Sequence, residues 1–154
     1  MKCVGVIDTT FSRVDMGKYV IEVLERELSG YKIVRHTVPG IKDLPGGVKR
    51  VLDMGCEGAI SLGWVGRKEV DKYSYLAASI GLINVAIMTS KVVIDVTVHE
   101  DEAEEEQELK RIAIHRARAH ASNLAALLKG GLQALTPKAG MGVRQGYPDA
   151  GPIP

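Results

Sequence analysis

Aromatic and hydroxyl side chains follow two apolar runs, at positions where a buried strand would end. Phe11 is the only Phe and Trp64 the only Trp among the 154 residues. The hydroxyl groups of Thr9, Thr10 and Ser12 lie close to Phe11 in the sequence. In an open α/β sheet, ligands bind at the carboxyl ends of the strands, where strand order reverses. These residue types therefore predict a site that stacks a flat ring and anchors it through hydroxyl groups.

A second candidate segment is the octapeptide 38–45, Val-Pro-Gly-Ile-Lys-Asp-Leu-Pro. Pro39 and Gly40 favour a turn, and the helix that should begin near Leu44 leaves backbone N–H groups free. Asp43 has two interpretations. Its carboxylate either caps the start of the helix or accepts hydrogen bonds from the hydroxyl groups of a ligand.

The last helical segment carries polar residues within its apolar stripe. Arg116 and His120 are four residues apart and share a helix face. Because buried polar groups need partners, this face is predicted to meet a ligand or another subunit. Arg111, His115 and Arg118 form a second stripe, which we expect to be solvated.

Metal binding has weak support. The acidic run 100–108 suits the positive end of a helix dipole, and a divalent-metal site is the less favoured alternative. His36 and His99 lack zinc-ligand spacing to another His or Cys. We therefore expect no metal site and no cofactor, with a divalent cation such as Mg²⁺ left open.

The elements that must position these residues alternate between strand and helix. Apolar runs predict four strands, at 3–7, 33–38, 59–62 and 92–98. Helical patterns follow each run, and we expect helices before Gly30 and at 44–55, 73–89 and 101–129. This alternation is typical of a parallel sheet covered by helices on both faces, an α/β fold.

Length and composition indicate one soluble domain over residues 1–154, with 132–154 as an extended C-terminal tail. A net charge of +1 gives no reason to propose nucleic acid or a membrane surface as a partner. Cys3 and Cys56 are interpreted as buried free thiols, which indicates a reducing compartment. With no signal-peptide pattern, we expect a cytoplasmic protein.

Four motifs together resemble a known family. The chain reads Asp-Thr-Thr-Phe at 8–11, the octapeptide at 38–45, Val-His-Glu-Asp-Glu-Ala at 98–103 and Arg-Gln-Gly-Tyr-Pro-Asp-Ala-Gly-Pro at 144–152. Together with the segment 58–75, these motifs resemble the lumazine synthase family, and most closely its archaeal-type riboflavin synthases. The resemblance spans nearly the whole chain.

The resemblance implies a flavodoxin-like, three-layer α/β/α sandwich with a four-stranded parallel sheet, assembled as a homopentamer with active sites between subunits. It also implies a reaction. Two molecules of 6,7-dimethyl-8-ribityllumazine dismutate by transfer of a four-carbon unit, giving riboflavin and a ribitylamino-pyrimidinedione. No organic cofactor is needed, because the lumazine ring stabilises the carbanion formed at its own methyl group.

The family also implies roles for individual residues. Phe11 should lie against a lumazine ring, and Gly63 and Trp64 should border the pyrimidine edge. Pro39, Gly40 and Asp43 should hold the ribityl chain. The remaining expected substrate contacts are Thr9, Thr10, Ser12, Val38, Leu62, His99 and Glu100.

Two departures from the lumazine synthase pattern matter. Lys72 holds the position of a His in those enzymes, and we interpret its ammonium either as a catalytic group or as a surface lysine. The phosphate site of the last helix is absent, and Arg116 and His120 stand in its place as candidates for contacts across a subunit interface. A lumazine synthase and a non-catalytic ribityllumazine or flavin carrier remain as alternative functions.

Overall fold

Four parallel strands form a single sheet in a computed structural model that describes residues 1–154. The strands are β1 (Lys2–Thr9), β2 (Tyr31–Val38), β3 (Gly58–Val65) and β4 (Val92–His99). Their order across the sheet is β2-β1-β3-β4. After β1, the chain adds β2 on one side of it and later adds β3 and β4 on the other side. Strand order therefore reverses between β1 and β3. An open sheet of this kind binds ligands beside that reversal.

Helices cover both faces of the sheet. They are α1 (Met16–Glu27), α2 (Leu44–Asp53), α3 (Glu69–Thr89) and α4 (Glu106–Gly130). One apolar core joins α1 and α4 to the sheet, and a second joins α2 and α3 to the opposite face. The predicted three-layer α/β/α architecture is therefore confirmed. None of the helices combines the length and apolar character needed to cross a membrane.

The central strand β3 explains why the sequence forms this sheet. All eight residues of β3 are buried, because helices lie on both of its faces. Beside it, Gly5 of β1 lets α2 pack closely. A Cβ atom at Gly5 would lie 2.5 Å from Cγ2 of Val51.

The start of the last helix differs from the prediction. Residues 100–102 form a short 3-10 turn, Ala103 is extended, and α4 begins only at Glu106. The Glu102 carboxylate accepts a hydrogen bond from the backbone N–H of His99, at 2.8 Å, and so closes the turn. A 3-10 turn, capped by the Glu102 side chain, therefore stands where the first turns of the helix were expected.

The expectation that both cysteines are free thiols was wrong. Cys3 and Cys56 form a disulfide, with their Cα atoms 4.5 Å apart. The bond joins the start of β1 to the segment that precedes β3. Free thiols supported the inference of a reducing compartment, and that support is removed. The cytoplasmic location stays a prediction.

The C-terminal segment lies against α4. Beyond two short 3-10 turns, the backbone N–H of Gly146 donates to Nδ1 of His115, at 2.8 Å. The hydroxyl group of Tyr147 donates to Oε1 of Glu102, at 2.7 Å. The tail therefore reaches the turn that follows β4.

Candidate functional site

A cavity of about 240 Å³ opens at the carboxyl end of the sheet, beside the reversal of strand order between β1 and β3. It is lined by Phe11, Gly40, Ile41, Lys42, Asp43, Trp64, Asp71 and Ser74. The structure thus brings together the segment after β1, the octapeptide after β2 and the end of β3. These segments are far apart in sequence and were predicted to share one site.

Phe11 presents its ring to this cavity from a turn that hydroxyl groups hold in place. Its side chain is 51% exposed. Oγ1 of Thr10 donates to the backbone carbonyl of Pro39, at 3.1 Å, and Oγ1 of Thr9 accepts from the N–H of Ser12, also at 3.1 Å. The hydroxyl groups predicted to anchor a ligand therefore fix the loop that carries the ring.

Trp64 does not offer the open stacking face expected from the sequence. Its side chain is 1% exposed and lies in the core between the sheet and helices α1 and α4. Its indole N–H donates to Oε1 of Glu100, at 2.8 Å. Because side chains alternate along a strand, Gly63 faces the opposite layer and lies against Ile41. Trp64 can reach a ligand only at the margin of its ring or through its backbone.

The octapeptide forms a 3-10 turn at Ile41–Asp43 that leads directly into α2. Oδ2 of Asp43 accepts a hydrogen bond from the backbone N–H of Gly40, at 3.1 Å. The carboxylate therefore caps the turn and not α2, and Oδ1 takes part in no hydrogen bond within the chain. Because Asp43 lines the cavity, its free oxygen can accept a hydrogen bond from a ligand hydroxyl group.

Two of the expected contact residues are core residues. Leu62 is fully buried against α1 and α4, and Val38 is buried against α2. Their side chains lie in the core, and neither residue lines the cavity.

Sequence reasoning missed the contribution of α3. Asp71 and Ser74 lie in the first turns of this helix and line the cavity. Oδ2 of Asp71 accepts from the backbone N–H of Lys68, at 3.2 Å. An acidic residue three positions after the N-cap residue is typical of a helix start. The spacing of Lys68 and Asp71 was therefore the sequence signal that could have placed the start of α3 at the site.

Lys72 and His99 lie beyond the lining of the cavity. The Lys72 ammonium pairs with the Asp101 carboxylate, and this contact lowers the pKa of Asp101. The His99 ring packs edge-on against Tyr75, with centroids 5.0 Å apart. Burial and the nearby Lys72 charge lower the pKa of His99. Within the subunit, the Lys72 side chain is thus paired with a carboxylate.

Arg116 is occupied inside the chain. Nη1 and Nη2 donate to the two carboxylate oxygens of Glu102, at 2.7 and 2.8 Å. Nη1 also donates to the carbonyl of Thr97, and Nε donates to the carbonyl of Gln145. Burial alone would raise the pKa of Glu102, but these contacts and the His99 N–H hold it at about 2. Arg116 thus fixes both the turn and the tail.

His120 lies one helical turn beyond Arg116 and is half-buried. Burial, together with the Arg116 charge, lowers the pKa of His120 to about 4, so its imidazole is neutral at pH 7. Nδ1 lies 3.4 Å from Nδ2 of Asn123. Neither His120 nor Arg116 lines the cavity of its own subunit. The second stripe, with Arg111, His115 and Arg118, is exposed as expected.

The acidic run does not form a cluster that could hold a metal ion. No group of three or more His, Cys, Asp or Glu side chains is arranged for one. Its carboxylates are directed elsewhere: Glu100 to Trp64, Glu102 to Arg116 and Glu106 to Arg13.

Comparison with known proteins agrees with this geometry. Residues 2–130 match the sequence model of the 6,7-dimethyl-8-ribityllumazine synthase family. The chain is 71% identical over 152 residues to a riboflavin synthase of Aeropyrum pernix, covering 99% of this chain and 98% of that protein. It is 51% identical over 151 residues to a riboflavin synthase of Archaeoglobus fulgidus, covering 97% of each.

A third relative, a riboflavin synthase of Methanothermobacter thermautotrophicus, is 48% identical over 151 residues, which cover 97% of this chain and 98% of that protein. The matches extend through the tail as well as the sheet. The chain therefore belongs to the 6,7-dimethyl-8-ribityllumazine synthase family, within its archaeal-type riboflavin synthases.

Proposed function

We propose that the protein is a riboflavin synthase, a transferase that converts two molecules of 6,7-dimethyl-8-ribityllumazine into riboflavin and 5-amino-6-ribitylamino-2,4(1H,3H)-pyrimidinedione. One lumazine gives up a four-carbon unit and the other accepts it. The two lumazines contain the same atoms as the two products, so no oxidant or reductant is consumed. The lumazine ring serves as the electron sink, and no organic cofactor takes part.

The observation that carries this proposal is the cavity between Phe11 and the octapeptide, in a chain similar to riboflavin synthases over its full length. The exposed aromatic ring of Phe11 and the carboxylate of Asp43, with its free Oδ1, both line the cavity. A heterocycle with a ribityl chain has a flat part and a hydroxyl-rich part in the same arrangement. Phe11 stacks on the ring, while Gly40 and Asp43 bind the chain.

Holding two substrates in register is the main task of this site. Correct orientation of two reactants supplies roughly 7 to 11 kcal/mol toward the barrier. Lowering the remaining part of the barrier requires proton transfer at the lumazine methyl group. We propose His120 as the base: its imidazole is neutral at pH 7, although its pKa of about 4 within one subunit lies below the range that suits a general base. Lys72 stabilises developing negative charge from the rim, and Arg116 positions that rim through Glu102.

Assembly into a pentamer is part of the proposal, because His120 lies away from the cavity of its own subunit. Helix α3 carries a row of exposed apolar side chains with alternating spacings of three and four: Tyr73, Leu76, Ile80, Ile83 and Ile87. This spacing is typical of helices that pack against each other. We propose that α3 helices of neighbouring subunits meet along this row. We also propose that His120, on α4 at the opposite face of the sheet, reaches the site of a neighbouring subunit.

The test is to incubate the purified protein with 6,7-dimethyl-8-ribityllumazine alone and to follow riboflavin and substrate by absorbance. Two lumazines lost per riboflavin formed support the proposal. Binding without conversion favours the carrier. Lumazine formation from the pyrimidinedione and a four-carbon ketone phosphate favours lumazine synthase. A parallel reaction with EDTA shows whether a divalent cation such as Mg²⁺ contributes.

A further inference from the structure

A second cleft adjoins the cavity of the proposed site. Its volume is about 420 Å³, and its lining combines five polar or charged side chains with Gly, Pro and one Val. The lining residues are His36, Thr37, Val38, Pro39, Lys42, Asp43, Gly46, Gly47 and Arg50. Lys42 and Asp43 also line the cavity that contains Phe11. The cleft and the cavity therefore adjoin at Lys42 and at Asp43, which is proposed to hold the ribityl chain.

The cleft carries an excess of positive charge. Lys42 and Arg50 are exposed and His36 is half-buried, whereas Asp43 supplies the only carboxylate. None of the three basic side chains forms an ion pair. Of the 20 Lys and Arg side chains, seven are paired with carboxylates, and what distinguishes Lys42 and Arg50 among the unpaired ones is that they line the same cleft. The cations of this cleft are thus available to an anionic ligand.

Close packing of α2 on β2 shapes the cleft. A Cβ atom at Gly47 would lie 3.0 Å from Cγ2 of Ile7 and 3.3 Å from Cδ2 of His36. Glycine at this position therefore lets α2 approach the strand and places the His36 ring beside the first turns of the helix. Arg50, one turn further along α2, lines the same cleft.

We propose that this cleft binds the terminal phosphate of a phosphorylated ribityl compound whose ring occupies the neighbouring cavity. The inference rests on the proposed function, which places the ribityl chain at Pro39, Gly40 and Asp43. A chain that leaves the ring at Phe11 and passes Asp43 ends in the cleft. The guanidinium of Arg50 and the ammonium of Lys42 suit a phosphate monoester, which carries a charge between −1 and −2 at neutral pH.

Such a ligand arises when the terminal hydroxyl group of the product is phosphorylated. The neutral ribityl chain of the substrate leaves the cations of the cleft unpaired, whereas the phosphorylated compound pairs them. A later, phosphorylated product therefore competes with the substrate for the site. This would couple the rate of the enzyme to the amount of phosphorylated flavin.

The experiment compares the dissociation constants of riboflavin 5′-phosphate and riboflavin, by calorimetry on the assembled wild-type protein. We expect the phosphorylated compound to bind at least tenfold more tightly. In the Arg50→Gln variant, the dissociation constants of the two flavins should differ by no more than about twofold. Lys49→Gln is the matched control, because Lys49 also lies on α2 but pairs with Asp53 outside the cleft, and its ratio stays at the wild-type value.

Equal affinity for the two flavins, or a preference that Arg50→Gln leaves unchanged, overturns the inference. Inorganic phosphate is titrated as well. If it binds as tightly as riboflavin 5′-phosphate, the cleft is a plain phosphate site and the link to the ribityl chain is overturned. Conversion of 6,7-dimethyl-8-ribityllumazine is assayed in parallel. Conversion without a phosphate preference overturns this inference alone, whereas absence of conversion overturns the proposed function.

Discussion

The two terminal guanidinium nitrogens of Arg116 each donate a hydrogen bond to one carboxylate oxygen of Glu102, at 2.7 and 2.8 Å. Their side chains are only 12% and 16% exposed. A bidentate pair of this kind is stronger and more directional than a single contact. It joins α4 to the turn after β4, and Tyr147 adds the tail to the same carboxylate.

The Glu102 carboxylate should make stability depend on acid pH. Its pKa is about 2 in the fold, against an ordinary value of 4.5. As pH falls, the unfolded chain binds the proton first, so stability present above pH 4.5 is lost between about pH 4.5 and 2. The contribution at neutral pH is roughly 3 kcal/mol. Glu102→Gln should lose about this amount at pH 7 and little near pH 2, as measured by urea unfolding across pH.

The control for this measurement is Glu108→Gln. Glu108 pairs with Arg111 on the exposed face of α4, and exposed pairs contribute little to stability, so Glu108→Gln should leave the pH profile unchanged. A pH profile of Glu102→Gln that parallels the wild type would contradict the assignment.

Phe11→Ala should lower kcat/KM for 6,7-dimethyl-8-ribityllumazine roughly tenfold, because aromatic stacking contributes about 0.5–1.5 kcal/mol and the side chain also shields the substrate from water. The melting temperature should hardly change, since the ring is 51% exposed in the subunit. Steady-state kinetics provide the measurement. Phe11→Tyr keeps the aromatic face and should stay within about threefold of the wild type. Equal rates for Phe11→Ala and the wild type would remove Phe11 from the site.

His120→Ala should reduce turnover at least a hundredfold while the protein keeps its assembly state, since general base catalysis contributes about 10² or more. His115→Ala is the matched control, because His115 lies on the same helix but binds the tail through Gly146. Single-turnover kinetics with size-exclusion chromatography separate loss of chemistry from loss of assembly. Wild-type turnover of His120→Ala in an intact oligomer would exclude His120 as the base.

A double variant with Ile80→Glu and Ile83→Glu should dissociate the oligomer. Both side chains are more than half exposed in the subunit, so the substitutions leave its core intact. Light scattering should report a mass near 16.6 kDa in place of about 83 kDa, which is five times 16.6 kDa. Leu132→Glu, fully exposed and outside the α3 row, should not change the mass. A wild-type mass for the double variant would place the subunit contact elsewhere.

The Cys3–Cys56 disulfide should stabilise the fold. It closes a loop with a sequence separation of 53, and disulfides typically contribute about 2–4 kcal/mol by restricting the unfolded chain. A reducing agent should therefore lower the melting temperature of the wild type, as measured by calorimetry. Cys3→Ser should melt at the temperature of the reduced wild type and should not respond to the reductant. A melting temperature that the reductant leaves unchanged would show that the bond does not stabilise the protein.

The sequence allowed the fold to be predicted, and also the grouping of Phe11 with the octapeptide at one edge of the sheet, because apolar runs and turn residues are local signals. The disulfide was not predictable in this way. Its cysteines become neighbours only through the sheet register, which pairs Val4 with Gly58. The burial of Trp64 was missed for a related reason. Every residue of β3 is buried, so no alternation of polar and apolar residues shows which side chains face which layer.

The start of α4 was predicted wrongly for a different reason. A run of acidic residues without Gly or Pro is typical of a helix start, and this pattern predicted a helix from residue 101. One carboxylate instead accepts the His99 N–H and pairs with Arg116, fourteen positions later in the chain. Such long-range pairing competes with helix formation and leaves no local signal.

Helix α3 lines the cavity at its first turns, through Asp71 and Ser74, and carries the exposed apolar row along the rest of its length. One helix thus belongs to both the proposed substrate site and the proposed subunit contact. By thermodynamic linkage, substrate that favours the placement of this helix also favours association, and association raises substrate affinity by the same factor. Affinity measured at nanomolar protein should therefore be weaker than affinity measured at micromolar protein.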